Sequence, residues 1–349
     1  MAQTDNMPWF DAHLDLAMME AQGRNMTASP VDAGGPDLPA SITLPSLATG
    51  NVRAALGTIF TEGGGTDRRI GYPLGDAQAA FTAGTRQLQI YRRWADAGWC
   101  SLPAATAEAA VPPLAGRSPL QIGILIEGAD IVREPAELAW WARYGVVAVG
   151  LAWWHASRYA GGNGTPPDDP RAGLSSSGRA MVAEMDRLGL VHDASHLADR
   201  AFAELLETTD RVVMASHSNC RTLLGDAKNQ RHLTDQQIRA IASRGGVIGL
   251  NLYSRFLDAA CDKAGRCTVT TAVRHVEHIC QLVGSRRHVG LGTDADGGFS
   301  AARLPEGINL PSDYSKLIDE LARLGWADAD IRGFTSGNFL RLFPMLGGT

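Results

Sequence analysis

Nowhere does this chain contain an apolar stretch of about 18 residues, the length a membrane-crossing helix requires, so a helical span is excluded. The opening residues, Met1 to Asp11, lack the basic start and apolar core of a secretory signal. From these absences we expect a cytoplasmic protein with no membrane contact. Also missing is any Lys/Arg run of the kind that tracks phosphates, and the formal net charge is −5, which speaks against nucleic acid and for small-molecule partners. Cysteine is scarce: five residues, Cys100, Cys220, Cys261, Cys267 and Cys280, with no CxxC pair, fit neither a disulfide framework nor a zinc ribbon. A local Cys261 to Cys267 bridge stays open, because the intervening Asp-Lys-Ala-Gly-Arg reads as a turn. Internal repeats and low-complexity segments are absent too.

What is present is the composition of an ordinary globular protein, 45% hydrophobic and 20% charged, able to bury a large core. A length of 349 residues suits a single barrel with insertions as well as it suits two domains, and we expect one domain over 1–349. Compact Val/Ile/Leu runs alternate with helical spacing along most of the chain. Strands are expected at Trp9 to His13, Val52 to Phe60, Gln121 to Ile126, Gly145 to Trp153, Leu190 to Asp193, Arg211 to Ala215, Gly246 to Leu252 and His288 to Leu291. Helices are expected at Asp76 to Ala97, Ala136 to Arg143, Gly178 to Leu188, Ala198 to Leu206, Thr234 to Arg244 and Thr270 to Val283. Arg24 to Pro39 reads as a long loop, and another follows the fourth strand, carrying Gly161, Gly162, Gly164, Pro166, Pro167 and Pro170. Buried parallel strands need helices outside them for their crossovers. Eight such units predict an α/β fold, a (β/α)₈ TIM barrel with loop insertions; an open doubly wound sheet is the alternative.

The residues that bear chemistry fall at strand ends. His13 and Asp15 close the first strand at i, i+2, a spacing that turns both side chains to one face. Glu127 ends Ile-Gly-Ile-Leu-Ile-Glu-Gly, His196 follows Val-His-Asp-Ala-Ser, His217 follows Val-Val-Met-Ala-Ser, and Asp294 ends Gly-Leu-Gly-Thr-Asp. These are strands one, three, five, six and eight, whose C-terminal ends meet at one mouth in a barrel. Three imidazoles and three carboxylates exceed what one tetrahedral zinc needs but suit two metals bridged by a carboxylate, for which Glu127 is the candidate. Close positive charge is also what lets the carboxylates cluster without raising one another's pKa. His192, His288, His275 and His278 read as structural. Asp193 and Asp296, next to ligands, are candidates to orient imidazoles, with a surface or capping role as the alternative for each.

In order and combination these motifs make the sequence similar to the membrane (renal) dipeptidase family, zinc peptidases of the amidohydrolase-like metal-dependent hydrolase superfamily. The resemblance spans nearly the whole chain and rests on Asp-Ala-His-Leu-Asp, Ile-Glu-Gly, Arg-Leu-Gly-Leu-Val-His-Asp-Ala-Ser-His, Ser-His-Ser-Asn-Cys-Arg, Arg-His-Leu-Thr-Asp, Gly-Leu-Gly-Thr-Asp-Ala-Asp-Gly and Gly-Asn-Phe-Leu-Arg. It implies two Zn²⁺ per chain, one held by His13, Asp15 and Glu127 and the other by Glu127, His196 and His217, with Asp294 as acid/base. It also implies a dipeptide as substrate and makes a homodimer an expectation.

Two places depart from the family pattern. The arginine that grips a substrate carboxylate matches Arg231 through Arg-His-Leu-Thr-Asp, with Lys228 as the competing match; a lysine would supply charge without a bidentate fork. After strand four, where a Thr-His pair is expected, this chain has Gly-Leu-Ala-Trp-Trp-His-Ala-Ser-Arg-Tyr. Either His155 is the substrate histidine and oxyanion stabiliser or the Trp-rich loop has replaced it. Trp153, Trp154 and Tyr159 are the expected shapers of substrate preference. The rival readings are a related hydrolase of another small amide, lactone, ester or phosphoryl bond, and a non-catalytic metal-binding descendant. Retention of Asp294 speaks against the second.

Overall fold

The runs of Val, Ile, Leu and Ala become eight parallel strands: β1 (Trp9–Leu14), β2 (Val52–Phe60), β3 (Leu120–Glu127), β4 (Val146–Gly150), β5 (Val191–Asp193), β6 (Val213–Met214), β7 (Ile248–Leu250) and β8 (Val289–Leu291). The protein is described here from a computed structural model covering residues 7–103, 119–261 and 265–347, so the outer ends of the domain expected over 1–349 lie outside the described residues. The strands pair in the order β7-β8-β1-β2-β3-β4-β5-β6. A parallel bridge between Ala215 and Ile248 joins the end of β6 to β7 and closes the ring, which decides for the barrel over the open sheet.

Helices cover the outside: α1 (Leu16–Ala21), α2 (Leu44–Thr49), α3 (Ala77–Asp96), α4 (Leu138–Arg143), α5 (Ser176–Leu188), α6 (Asp199–Thr208), α7 (Asp235–Ser243), α8 (Val269–Val283) and α9 (Ser315–Arg323). Their starts follow side-chain capping chemistry. Asp76, Ser175, Thr234 and Thr268 each accept a backbone N–H in the first turn, and Thr234 with Gln237 forms a reciprocal capping box. The expected strand Gly145 to Trp153 is shorter than anticipated, because the chain leaves the sheet after Gly150 to build the tryptophan loop. The short α1 and α2 were hidden by the loop-like composition around them, and α9 lies in a region for which no element was expected.

The floor of the barrel is apolar. Phe10, Leu56, Leu125, Val147, Met214 and Val247 meet Phe339, Phe343 and Leu346 from the C-terminal segment. Phe10 stacks on Phe339 and Phe343, with ring centroids 5.4 and 6.0 Å away. Glycine is needed where this plug touches the strands: a Cβ on Gly290 would sit 2.6 Å from the Phe339 ring.

At the other end, the loop between α1 and α2 folds around its own arginine. Arg24 is 1% exposed, so its charge must be met inside the protein. Its guanidinium donates to the Pro36 carbonyl and to the carboxylate of Asp296 beyond β8. The same Asp296 oxygen accepts the backbone N–H groups of Ser41 and Ile42, each at 2.8 Å. Asp296 is therefore the anchor of this loop, so that of the two roles left open for it the orienting of an imidazole falls away. Cys261 and Cys267 form the disulfide left open above; residues 262–264 of the turn between them lie outside the described residues. Among the described residues no helix is long and apolar enough to cross a membrane.

Candidate metal centre

The strand ends bring His13, Asp15, Glu127, His196, His217 and Asp294 together. Asp11, inside the first motif, does the local work. Its carboxylate accepts the N–H of Thr293 at 2.9 Å, the Thr293 hydroxyl at 2.6 Å and the N–H of His13 at 3.2 Å, tying the end of β1 to the end of β8. Asp294 then donates its backbone N–H to the carbonyl of His13. Gly297 lets the carboxylates approach, since a Cβ there would fall 2.2 Å from Asp294 Oδ1 and 2.8 Å from Asp15 Oδ2.

Glu127 stands at the centre, and its two oxygens look in different directions. Oε2 lies 3.4 Å from His13 Nε2, while Oε1 lies 3.0 Å from His196 Nε2 and 3.5 Å from His217 Nε2. Asp15 completes the first group, 3.9 Å from His13 Nε2, and the Thr58 hydroxyl donates to it. On the far side of each ring, Nδ1 meets a protein oxygen: Ser216 Oγ for His13 (3.1 Å) and His217 (2.8 Å), and Asn163 Oδ1 for His196 (2.8 Å). An amide oxygen only accepts, so His196 carries its proton on Nδ1 and turns a bare lone pair toward Glu127.

The electrostatics ask for cations. His13 Nε2 is buried and has no hydrogen-bond partner. Burial alone would hold His13 neutral, yet the charges of Glu127, Asp15 and Asp294 lift its pKa to about 10. Burial also raises the pKa values of Asp15 and Asp294, with Glu127 adding to both rises. His196 and His217 fall below the ordinary imidazole value, first through burial and then through the nearby positive charge of Arg231 and His13. Neutral imidazoles beside crowded carboxylates are the donor set of divalent metals. His13, Glu127 and His217 hold ligand atoms within 4.8 Å of one another, as do His13, Asp15 and Asp294. The two groups share His13, and Glu127 also faces His196, so the residues fit divalent metal binding.

Above the centre lies a cavity of about 880 Å³. Phe60, Trp153, Trp154 and Phe256 form apolar walls, and Lys228, Arg231 and Arg255 bring positive charge. Arg231 is buried, with its guanidinium donating to the carbonyls of Ser195 (3.2 Å) and His217 (2.9 Å) and to Ser218 Oγ (3.2 Å). Lys228 reaches the same cavity from an exposed position.

Other expectations do not meet at the centre. His155 is exposed and lines a separate pocket with Asp130 and Arg158. The tryptophan loop doubles back on itself: Asn163 and Gly164 donate to the carbonyls of Trp153 and Trp154 at 3.2 and 2.9 Å. That hairpin turns Trp153 onto Phe60 and Asn163 onto His196, and leaves His155 outside. Tyr159 is fully buried, and its hydroxyl donates to the Val132 carbonyl, so it holds the loop from beneath. Asp193 serves the imidazoles only through the Ser216 hydroxyl, 2.6 Å away. The four histidines read as structural each bond protein groups: His192 to Asp186, His275 to the Leu257 carbonyl, His278 to Asp235 and His288 to the Gly246 carbonyl. Sequence reasoning missed Asn163, Ser216 and Asn251, whose amide donates to Asp294 at 2.9 Å. The only signal was position: Ser216 adjoins a ligand, and Asn251 sits one residue past β7.

Residues 2–346 match the family described as membrane dipeptidase, peptidase family M19. Dipeptidase aclJ of Aspergillus oryzae is 33% identical over 177 residues, 50% of this chain and 40% of that protein. Dipeptidase 3 of Rattus norvegicus is 31% identical over 172 residues, 49% of this chain and 33% of that one. The chain thus aligns with less than half the length of either relative. The solved metallo peptidase from Rhodobacter sphaeroides, bound to a phosphinate mimic of the dipeptide L-Ala-D-Ala, shares the fold: TM-score 0.79 at 22% identity, covering 98% of this chain and 100% of that one.

Proposed function

This chain belongs to the membrane dipeptidase family, and from that premise we propose that it hydrolyses the peptide bond of dipeptides at a centre of two divalent ions, taken to be zinc. The observation that carries this reading is the split allegiance of Glu127, whose Oε2 faces His13 while Oε1 faces His196 and His217. His13, Asp15 and Glu127 would hold one ion; Glu127, His196 and His217 the other. Ions held there would supply Lewis acidity, lowering the pKa of a water to about 7 and polarising the scissile carbonyl.

The chain's own groups do the rest. Asp294 Oδ2 is engaged by Asn251, which leaves Oδ1 to take a proton from the attacking water. Burial already pushes the pKa of this carboxyl up, so it can hold that proton and release it to the leaving nitrogen as the C–N bond breaks. Arg231 is fixed by three hydrogen bonds and lies over the Phe256 ring at 5.3 Å, ready to orient the free carboxylate of the substrate with N–H groups beyond those three. Phe60 and Trp153 pack edge to face at 4.8 Å and keep bulk water from one wall. With His155 outside the cavity, we assign it no part in the reaction.

The test is to load the purified protein with zinc and assay a panel of L,L and L,D dipeptides beside the Asp294→Asn variant. We expect hydrolysis by the native chain and a loss of about 10²–10⁴-fold in the variant, the range for a general acid/base, with metal content unchanged. Zinc binding without cleavage of any dipeptide would remove the peptidase reading and leave the metal centre standing.

A further inference from the structure

Resting on the two-metal reading above, we propose that the hydroxyl of Ser216 is a shared positioning group: it sets the tautomer of both His13 and His217, one ligand of each ion, and so couples the two metal positions. The two rings stack with centroids 3.4 Å apart and planes 24° from parallel. Their Nε2 atoms face opposite oxygens of Glu127, at 3.4 and 3.5 Å. Their Nδ1 atoms meet one oxygen, Ser216 Oγ, at 3.1 and 2.8 Å.

A hydroxyl has one proton and two lone pairs. The proton of Ser216 goes to Asp193 Oδ2, 2.6 Å away. Ser195 spends its own proton on Asp193 Oδ1, also at 2.6 Å, and so does not compete. The two lone pairs of Ser216 are then left for two N–H donors, which are the Nδ1–H groups of His13 and His217. With metal bound, both rings would then turn bare Nε2 lone pairs to the metal side, where His217 Nε2 lies 3.0 Å from His196 Nε2. His196 is set separately, by Asn163 Oδ1 at 2.8 Å.

The position of Ser216 is rigid. Its N–H donates to Asp193 Oδ1 at 2.9 Å. Its carbonyl packs so close to β7 and the end of β8 that a Cβ on Gly249 or Gly292 would come within 1.9 or 1.8 Å of the oxygen. Those two glycines are what allow the serine to sit at the Nδ1 edge of both rings.

The experiment compares Ser216→Ala with Asn163→Ala and the native chain by competitive zinc titration against a chromophoric chelator, with ¹⁵N-resolved imidazole NMR of the zinc-loaded proteins. In Ser216→Ala we expect both sites to weaken, each by about 10–100-fold, the usual cost of losing a ligand's hydrogen-bond partner. The Nδ1–H signals of His13 and His217 should vanish together while that of His196 stays. Asn163→Ala should weaken one site and erase the His196 signal alone, and Ser216→Thr, which keeps the hydroxyl, should restore both sites. A folded Ser216→Ala protein that loses affinity at one site or at neither overturns the proposal. If that variant does not fold, the zinc-loaded native protein still decides: a His13 or His217 without an Nδ1–H signal refutes the shared clamp. Failure of the underlying reading would look different, as a native chain that binds fewer than two ions.

Discussion

The eight strands end in opposite chemistries. Inside the barrel, Phe10, Leu125 and Met214 pack with Phe339 and Phe343 in an apolar floor. At their C-terminal ends the same strands present imidazoles and carboxylates that are just as buried: His13 is 0% exposed and Glu127 5%. The floor gains stability from each group it buries. The mouth carries crowded carboxylates at a cost that burial makes larger and that the positive charges of His13 and Arg231 offset in part. The site therefore depends on a scaffold stabilised elsewhere, which is the usual division of labour between the two faces of such barrels.

Substitutions at the two ends should separate function from stability. The largest effect is expected for Glu127→Gln: metal content should fall below two ions per chain by elemental analysis, and activity should drop by more than the roughly 10–100-fold that a supporting partner costs, with the metal-free protein still folded. If this variant unfolds the barrel, the mouth is not the separable layer described here. Next comes Phe343→Ala, which should lower unfolding free energy by about 3–5 kcal/mol in denaturant titrations while kcat/KM per folded molecule holds. A selective loss of kcat would show that floor and mouth are coupled. Smaller still is Arg231→Lys, expected to raise KM by roughly tenfold through loss of the bidentate fork; a fall confined to kcat would place Arg231 with the acid/base instead. The smallest is His155→Ala, expected to leave kcat/KM within about twofold because the side chain makes no contact that changes in the transition state. A larger loss would mean that the tryptophan hairpin rearranges when substrate enters.

The legibility of these regions in the sequence differed for physical reasons. Buried parallel strands must be nearly continuous apolar runs, so all eight were visible, and the ligand-type residues stood out because they interrupt such runs at one end only. Loop geometry has no period. Nothing in Trp-Trp-His-Ala says that pairing with Asn163 and Gly164 will turn His155 outward, and nothing around Arg24 says that its guanidinium will be swallowed by its own loop. Asp296 was open to an orienting role because it lies two residues from Asp294, yet its partner lies 272 residues earlier in the chain. Ser216 was invisible for another reason: one hydroxyl matters here only because two rings from different strands turn their Nδ1 atoms to it.

The stacking of Phe10 on Phe339 and Phe343, together with the pairing of β1 with β8, bears on how the protein is made. β1 can pair with β2 early, but Phe10 gains its ring partners only after Phe339 and Phe343 have been made. Until β8 pairs with β1 the nascent sheet has unpaired edges, and until Phe339 follows, Phe10 lacks its stacking partners, the kind of surface that recruits chaperones or aggregates. Synthesis that stops short of Phe339 would yield all eight strands and a barrel without the plug that fills its floor.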